Sequence, residues 1–583
     1  MGGAVDRSAP AAAARPEATG PGRPGLGGSR STWSWGVFLI GLLASLLLYR
    51  SLWRDPVNST LGTLDHTNDP MQMMWFLKWV PWQVLHGHNP FVSEAIFYPG
   101  GVALSWNTFV PTLGIVAAPL TLATSASLSF AVLITLAPAL TALTGFWWLR
   151  RHVSRRWTAA GGGLLLAFDP YMSGHLLGHL NLVFTCLLPL MVMLAEDLLW
   201  RRPRPQLRTS AFLGVVTAAQ LGISEELALI LVIGVLVVLA LSFAVEPART
   251  SAAVRGAGVG ALSAIGMLLV LASPLLVSQL LLAPSVTVDT SRFRAVPADF
   301  VQASIRQQFG WGTTTTTSLL GGAEHGVYLG WPVVVVLAVG VLCTFRRDRW
   351  VRVATGAAVA LVVLCMFPVF QGVPALESVM PARYSFALYL VLAWLLTRWC
   401  DRLFTDAPTG FDRRTVTGSI AAAAMAVAVV GLVPRAVGSY PLPAPATFFG
   451  SPWQERQLPR GSAVLLLPAG DARGMYYQQQ ADFSFVQPGG YALRPASGPV
   501  STAPDLLLVA LSDEARYAPV VDPARVAAGR RALCDLSLRA VVVTHSAAEH
   551  VRLEALATDL LQRPPDHVDG GVSVWLVTCP AGG

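Results

Sequence analysis

Charge is scarce in this 583-residue sequence: Asp, Glu, Lys and Arg together make up 13% of it, against about 25% in a soluble globular chain. That shortage excludes a soluble enzyme and a solvated, disordered scaffold. Cysteine is scarce too, six residues with no zinc-type spacing, and no nucleic-acid-binding motif is present. The formal charge of +8 comes from 41 basic and 33 acidic residues. The basic residues sit in short clusters between apolar runs, which is how membrane topology is encoded, so nucleic acid is set aside as a partner. What is abundant is apolar: 53% hydrophobic residues and a mean hydropathy of +0.54. The fold class this implies is a polytopic α-helical membrane protein lying in a lipid bilayer.

Residues 1–32 are rich in Ala, Gly, Pro and Arg without apolar periodicity and read as a disordered cytoplasmic tail. The run at 35–52 ends in Tyr49, Arg50 and Trp53 rather than a small-residue cleavage site, which favours an uncleaved first span. Ten more apolar runs follow between 128 and 434, for about eleven spans in all. The segment 109–123 is also apolar, but counting it as a full span would move every later Arg cluster to the outer side. With Pro111 and Pro119 it reads as re-entrant or broken. The clusters at 150–156, 201–208, 249–255, 346–352 and 398–414 then all face the cytoplasm. The chain divides into the tail, a transmembrane core over 33–434 with outer loops 53–127 and 283–330, and a soluble α/β domain over 435–583. In that last part, short runs at 463–467, 506–511, 540–544 and 572–577 alternate with helical stretches. It also holds Cys534 and Cys579, either a disulfide outside the cytoplasm or two buried thiols.

The residues able to do chemistry gather on the outer side. Asp65 and Asp69 follow the first span, and Asp69-Pro70 opens an aromatic segment over 71–85. Trp75, Trp79 and Trp82 there suit a helix lying in the membrane interface. Asp69 could cap that helix, or be a carboxylate held at the lipid–water boundary to take a proton from a hydroxyl. His88 and Asn89, in Gly87-His88-Asn89-Pro90-Phe91, suit a substrate contact or a turn. Asp169-Pro170-Tyr171 precedes His175 and His179, whose i,i+4 spacing would put both rings on one helix face. The two His lack the intervening Glu of a zinc peptidase. Glu225 and Glu226 interrupt apolar sequence, so one of them should meet an Arg or a polar substrate. Arg292, Arg294 and Arg306 lie in the long outer loop, Arg383 follows Pro381-Ala382, and Glu324 and His325 sit in a Gly-rich stretch that could contact substrate or metal.

A first span, an outer loop with acidic residues ahead of an interfacial helix, then Gly87-His88-Asn89-Pro90-Phe91 and Phe97-Tyr98-Pro99-Gly100-Gly101, together resemble the GT-C superfamily of membrane glycosyltransferases. The resemblance covers roughly 33–434 and is also to uncharacterised bacterial glycosyltransferase-like membrane proteins. It implies transfer of a sugar from a polyprenyl-phosphate-linked donor to a glycan, glycolipid or protein acceptor of the cell envelope. A first-loop Asp would be the base, with Asp69 favoured over Asp65. Some members hold a divalent cation (Mg or Mn) through acidic residues of the second outer loop, where Asp169 is the positional match, and others do without. The rival readings are a non-catalytic lipid-linked-glycan translocase or envelope-assembly factor on the same scaffold, and a solute transporter. The transporter would need charges deeper in the spans than the sequence contains.

Overall fold

The computed structural model describes residues 28–62, 68–202, 206–282, 290–303, 305–309, 326–370, 372–373, 376, 379–405, 411–444, 447–493, 503–518 and 520–579. Helix α1 (Gly28–Leu48) packs on α4, and the short strand β1 (Ser59–Thr60) follows it. Then come α2 (Asn68–Leu85), the hairpin of β2 (Val92–Ser93) and β3 (Val102–Ala103), and α3 (Pro111–Ala123). The bundle continues with α4 (Ala126–Leu149), α5 (Arg156–Ala167), α6 (Pro170–His175), α7 (Leu180–Val183) and α8 (Leu187–Glu196), which runs on as a π turn to Arg201. It is completed by α9 (Gln206–Leu221), α10 (Glu225–Val245), α11 (Pro247–Leu281), α12 (Gly330–Thr344), α13 (Arg349–Met366), α14 (Ser385–Thr405) and α15 (Phe411–Gly431).

Among the described residues, five helical stretches are long and apolar enough to cross a bilayer: Ala126–Leu149, Leu180–Arg201, Glu225–Val245, Pro247–Leu281 and Arg349–Met366. Four shorter apolar helices, Thr32–Leu48, Pro111–Ala123, Gly330–Thr344 and Thr415–Gly431, accompany them. These apolar helices make it a membrane protein, and among the described residues five reach the length of a span, against eleven apolar runs in the sequence. The reason is length: α5 has 12 residues, about 18 Å at 1.5 Å per residue, against a hydrocarbon core of about 30 Å. The 109–123 segment forms the 13-residue α3, about 20 Å long, seated on α2 with Gly114 against Val80.

Small residues allow α4 and α5 to touch. A Cβ on Gly163 would stand 2.5 Å from the Ala142 carbonyl oxygen and 2.9 Å from the Phe146 nitrogen, so the helices cross backbone to backbone. At the far ends of these helices the arginine clusters interlock. Arg151 bonds Asp197 and the Met193 carbonyl, Arg398 and Arg402 share Asp348, and Arg349 reaches Glu246.

The chain after α15 begins with β4 (Tyr440–Pro441), which pairs antiparallel with β1 and so ties it to the segment after α1. After the short α16 (Pro452–Gln457), a mixed five-stranded sheet follows, in the order β6 (Phe485–Val486), β5 (Ser462–Leu467), β7 (Ala540–Thr544), β9 (Val572–Leu576), β8 (His567–Asp569). β5 lies parallel to β6 and β7, while β9 is antiparallel to β7 and β8. Alternation sends Leu465, Leu467, Val541, Val543 and Trp575 to one face, against α18 (Pro504–Tyr517), α19 (Pro523–Asp535) and α20 (His550–Leu561). The opposite face (Val464, Leu466, Val542, Val572 and Val574) joins the same apolar core as the membrane helices, which is why β5 and β7 are buried along their whole length. The run at 506–511 is helical, within α18, not a strand. Unbranched leucines favour a helix, Pro504 starts it, and Leu508, Leu511 and Ala515 recur at helical spacing toward the sheet.

Cys534 and Cys579 form a disulfide across 45 residues, Cα–Cα 5.7 Å. Closing a loop of that length removes about 3–4 kcal/mol of chain entropy from the unfolded state. A Cys534→Ser, Cys579→Ser variant is therefore expected to lose about that much stability in this domain. Unfolding followed by proteolysis of the α18–α20 region checks it, and wild-type resistance would refute it.

Candidate active site

Helix α2 and the turn between α6 and α7 meet through a close approach. Gly178 (φ 135°) abuts Pro70, where a Cβ would come within 2.3 Å of the proline Cγ. Only glycine tolerates that backbone and that contact. The approach brings His179 to Asp69: His179 Nε2 donates to Asp69 Oδ2 at 3.1 Å. On the other carboxylate oxygen, the Tyr491 hydroxyl donates to Asp69 Oδ1 at 3.1 Å. Asp69 still keeps 37% of its side chain exposed. The carboxylate is thus held from two distant parts of the chain while part of it stays exposed. Burial, followed by the neighbouring Asp69 carboxylate, pushes the Tyr491 phenol above its usual range, so it stays a donor.

The C-terminal domain reaches this point because it is docked on α2. Trp75 and Trp79 are buried and stack on one another at 4.6 Å. Phe483 meets their rings and that of Trp82 at 5.0–5.6 Å between centroids. Trp75 Nε1 donates to Gln478 Oε1 (3.3 Å), in α17 (Arg473–Gln480). Lys78, the only lysine in the chain, bonds the Gln479 carbonyl (2.7 Å) and Asp482 (2.6 Å). The 95–98 segment pairs with 487–489, and Gln478 Nε2 donates to the Ala95 carbonyl at 2.6 Å. Trp75 and Trp79, expected at the lipid interface, are instead covered by protein, and Gln478 is spent on docking, while the Tyr477 hydroxyl bonds the Ala444 carbonyl and Ser546. Closer to the site, Asn68 Oδ1 accepts from the Ala472 nitrogen at 3.1 Å, and Gln72 bonds the Tyr491 carbonyl. Beside Ala472, burial raises the Asp471 carboxyl above its usual range although Arg473 and Arg516 pull the other way.

The other expected site residues divide clearly. His175 does not share a helix face with His179, because α6 ends at His175 and a turn follows. Its Nδ1 bonds the Tyr171 carbonyl at 2.8 Å, and its ring lies 5.7 Å from that of His179. Asp169 is buried and caps α6, accepting from the Met172 nitrogen at 2.9 Å. Its second oxygen has no hydrogen-bond partner among the described residues. Also among the described residues, no three His, Cys, Asp or Glu side chains converge on a point. The expected divalent cation therefore has no described ligand set, and Asp169 acts as a helix cap.

Asn89 closes a turn by accepting from the Phe91 nitrogen at 3.0 Å, and His88 is exposed near Trp82. Arg383 forms an ion pair with Glu226, whose other oxygen accepts from the Met380 nitrogen at 2.9 Å. The expectation that one of the two glutamates meets an Arg holds. Arg294 is exposed. Arg306 lies in a strip paired with 433–435, where burial lowers its pKa. Asp65, Glu324 and His325 lie outside the described residues, as does the side chain of Arg292. Tyr491 stands out in the sequence as an aromatic after Gly489-Gly490, but no local pattern joins it to a residue 422 positions away.

No family model matches the chain, and no curated protein matches it by sequence. Solved structures do match its fold. The oligosaccharyltransferase of Archaeoglobus fulgidus, tethered with an acceptor peptide, superposes with a TM-score of 0.50 at 13% identity, over 91% of this chain and 71% of that one. The same protein with zinc and sulfate gives 0.51 at 14% identity, over 90% and 69%. The arabinofuranosyltransferase AftD from Mycobacteria gives 0.54 at 15% identity, over 94% of this chain and 40% of that one. The chain thus shares its fold with these two solved membrane glycosyltransferases.

Proposed function

From this fold we propose that the chain transfers a sugar from a polyprenyl-phosphate carrier to a hydroxyl of an envelope glycan, glycolipid or protein at the outer membrane face, with Asp69 as the base. The observation that carries the reading is the half-exposed Asp69 carboxylate fixed between His179 and Tyr491. In the step proposed, the acceptor oxygen attacks the sugar C1 as its proton passes to Asp69. The C1–O bond to phosphate breaks, and the phosphate leaves with the carrier lipid. The phosphate is a good leaving group, so no acid is needed; a cation facing it lowers the barrier. Arg294, exposed in the long loop, is a candidate for that, whereas Arg383 is engaged by Glu226. Two donors on Asp69 cost it no freedom at the moment of reaction, because they fix the carboxylate beforehand. A cytoplasmic N-terminus and an outer C-terminal domain complete the proposal. The ion-paired arginine clusters just after α4 and on α13 and α14 support that reading, because the positive-inside rule puts such clusters in the cytoplasm.

The test is release of polyprenyl phosphate and labelling of acceptor by the full chain in proteoliposomes, offered a panel of polyprenyl-phosphate sugars. Consumption of one donor in an acceptor-dependent way is expected. A folded protein that consumes none, with envelope extract as acceptor, refutes it. Tyr491 is a positioning residue: Tyr491→Phe removes one hydrogen bond to a charged group, and about tenfold loss of kcat follows. KM and the melting temperature are expected to stay unchanged; a parallel fall in melting temperature would mark a merely structural role.

A further inference from the structure

A second site lies at the other end of the bundle from Asp69. A cavity of about 500 Å³ opens between α8, α10, α13 and α14, within the roughly 300–1,000 Å³ of small-ligand sites. His179 precedes α7, and α8 with its π turn then runs 15 residues from Leu187 to Arg201, about 22 Å of helix that carries the cavity mouth at Arg201 away from the Asp69 site.

The cavity has an apolar shaft and a charged, aromatic mouth. Leu231, Val235, Leu361 and Leu390 line the shaft, with Gly234 and Ala387 leaving it open. Trp350 and Leu361 both line it along α13, a run of about 16 Å, which is one leaflet's depth of hydrocarbon. Four tryptophans ring the mouth: Trp148, Trp200, Trp350 and Trp394. Such indoles favour the level of lipid headgroups.

The mouth is also rich in positive charge. Arg151, Arg201, Arg249 and Arg398 line it, and Arg349 and Arg402 stand just behind. Against these six guanidiniums stand four carboxylates: Asp197, Glu246 and Asp348 pair with them, and Glu196 is held by His152 and Trp148. Arg201 donates to the Arg151 carbonyl and has no acidic partner among the described residues. The nearest acid to Arg249 is Glu246 at 3.7 Å, which Arg349 also uses. Two positive charges are left over, on a rim above an apolar shaft.

We propose that this cavity binds one anionic phospholipid of the adjoining leaflet, its phosphate against Arg201 and Arg249 and one acyl chain in the shaft. Charge complementarity selects the headgroup and the shaft selects a lipid over a soluble anion. The site is independent of the chemistry at Asp69.

The test uses the full chain in nanodiscs of phosphatidylcholine and phosphatidylglycerol in equal amounts, with retained lipid read by native mass spectrometry. Selective retention of one phosphatidylglycerol per chain is expected. Arg201→Ala with Arg249→Ala is expected to weaken that retention roughly thirtyfold, since each Arg near an anionic headgroup contributes about a factor of five. Gly234→Phe, which plugs the shaft without touching the rim, is expected to abolish retention and keeps the proposal testable if the double variant misfolds. Equal retention of both lipids would overturn the proposal, as would an unchanged Gly234→Phe variant. So would displacement of phosphatidylglycerol by inorganic phosphate or by polyprenyl phosphate, or a second copy of the chain covering the mouth.

Discussion

Asp69→Asn is expected to slow sugar transfer by roughly two to four orders of magnitude, the contribution of a positioned general base. The substitution keeps the size of the side chain. Its amide oxygen can still accept from Tyr491, and its NH2 can face His179 if the imidazole presents its lone pair. The fold is thus preserved while the proton acceptor is lost. Single-turnover labelling of acceptor by the purified variant, with wild-type melting behaviour as the control, measures the effect. A variant within threefold of wild type would show that Asp69 is not the base. Asp65, which also lies between the first span and the aromatic segment, would then be the first-loop carboxylate to replace next.

Trp75→Ala is expected to cost about 3–5 kcal/mol, the range for removing a large buried aromatic. Trp75 is fully buried between α2 and the C-terminal domain, against Trp79, Phe483 and Gln478. The loss falls at the joint that carries Tyr491 to Asp69, so activity and docking should fail together. Limited proteolysis between α15 and β5, and the transfer rate, are the two measurements. Unchanged cleavage with reduced activity would separate the joint from the site. Trp82 packs on Phe483 from the outer edge and is only partly buried, and Trp82→Ala is the milder comparison.

Some of this was legible in the sequence because it rests on local or compositional physics. The scarcity of charge implies a membrane environment whatever the tertiary fold. The arginine clusters report on which end of each helix is wetted, and they do converge, through Asp197, Asp348 and Glu246. Two cysteines alone in the tail suggested the disulfide. Asp69 was legible from its place ahead of the aromatic segment 71–85, in what is the first turn of α2, but not its partners. His175 and His179 illustrate the limit: i,i+4 spacing puts two rings on one face only if the helix continues, and here the backbone turns after His175. Trp75 and Trp79 illustrate another. An aromatic stripe looks the same whether lipid or a second domain will cover it, because both are apolar partners. The leucines at 506–511 read as a strand until the packing of α18 on the sheet shows a helical period.

The sequence by itself determined a helical, membrane-embedded chain with a first-loop aspartate and a separate α/β tail, because hydropathy and charge patterning act residue by residue. Only the tertiary structure decided which groups touch that aspartate. His179 stands 110 residues from it and Tyr491 422, and contacts between such distant segments form when the intervening helices and the docked domain bury their apolar faces together, an energy that belongs to no local stretch of sequence.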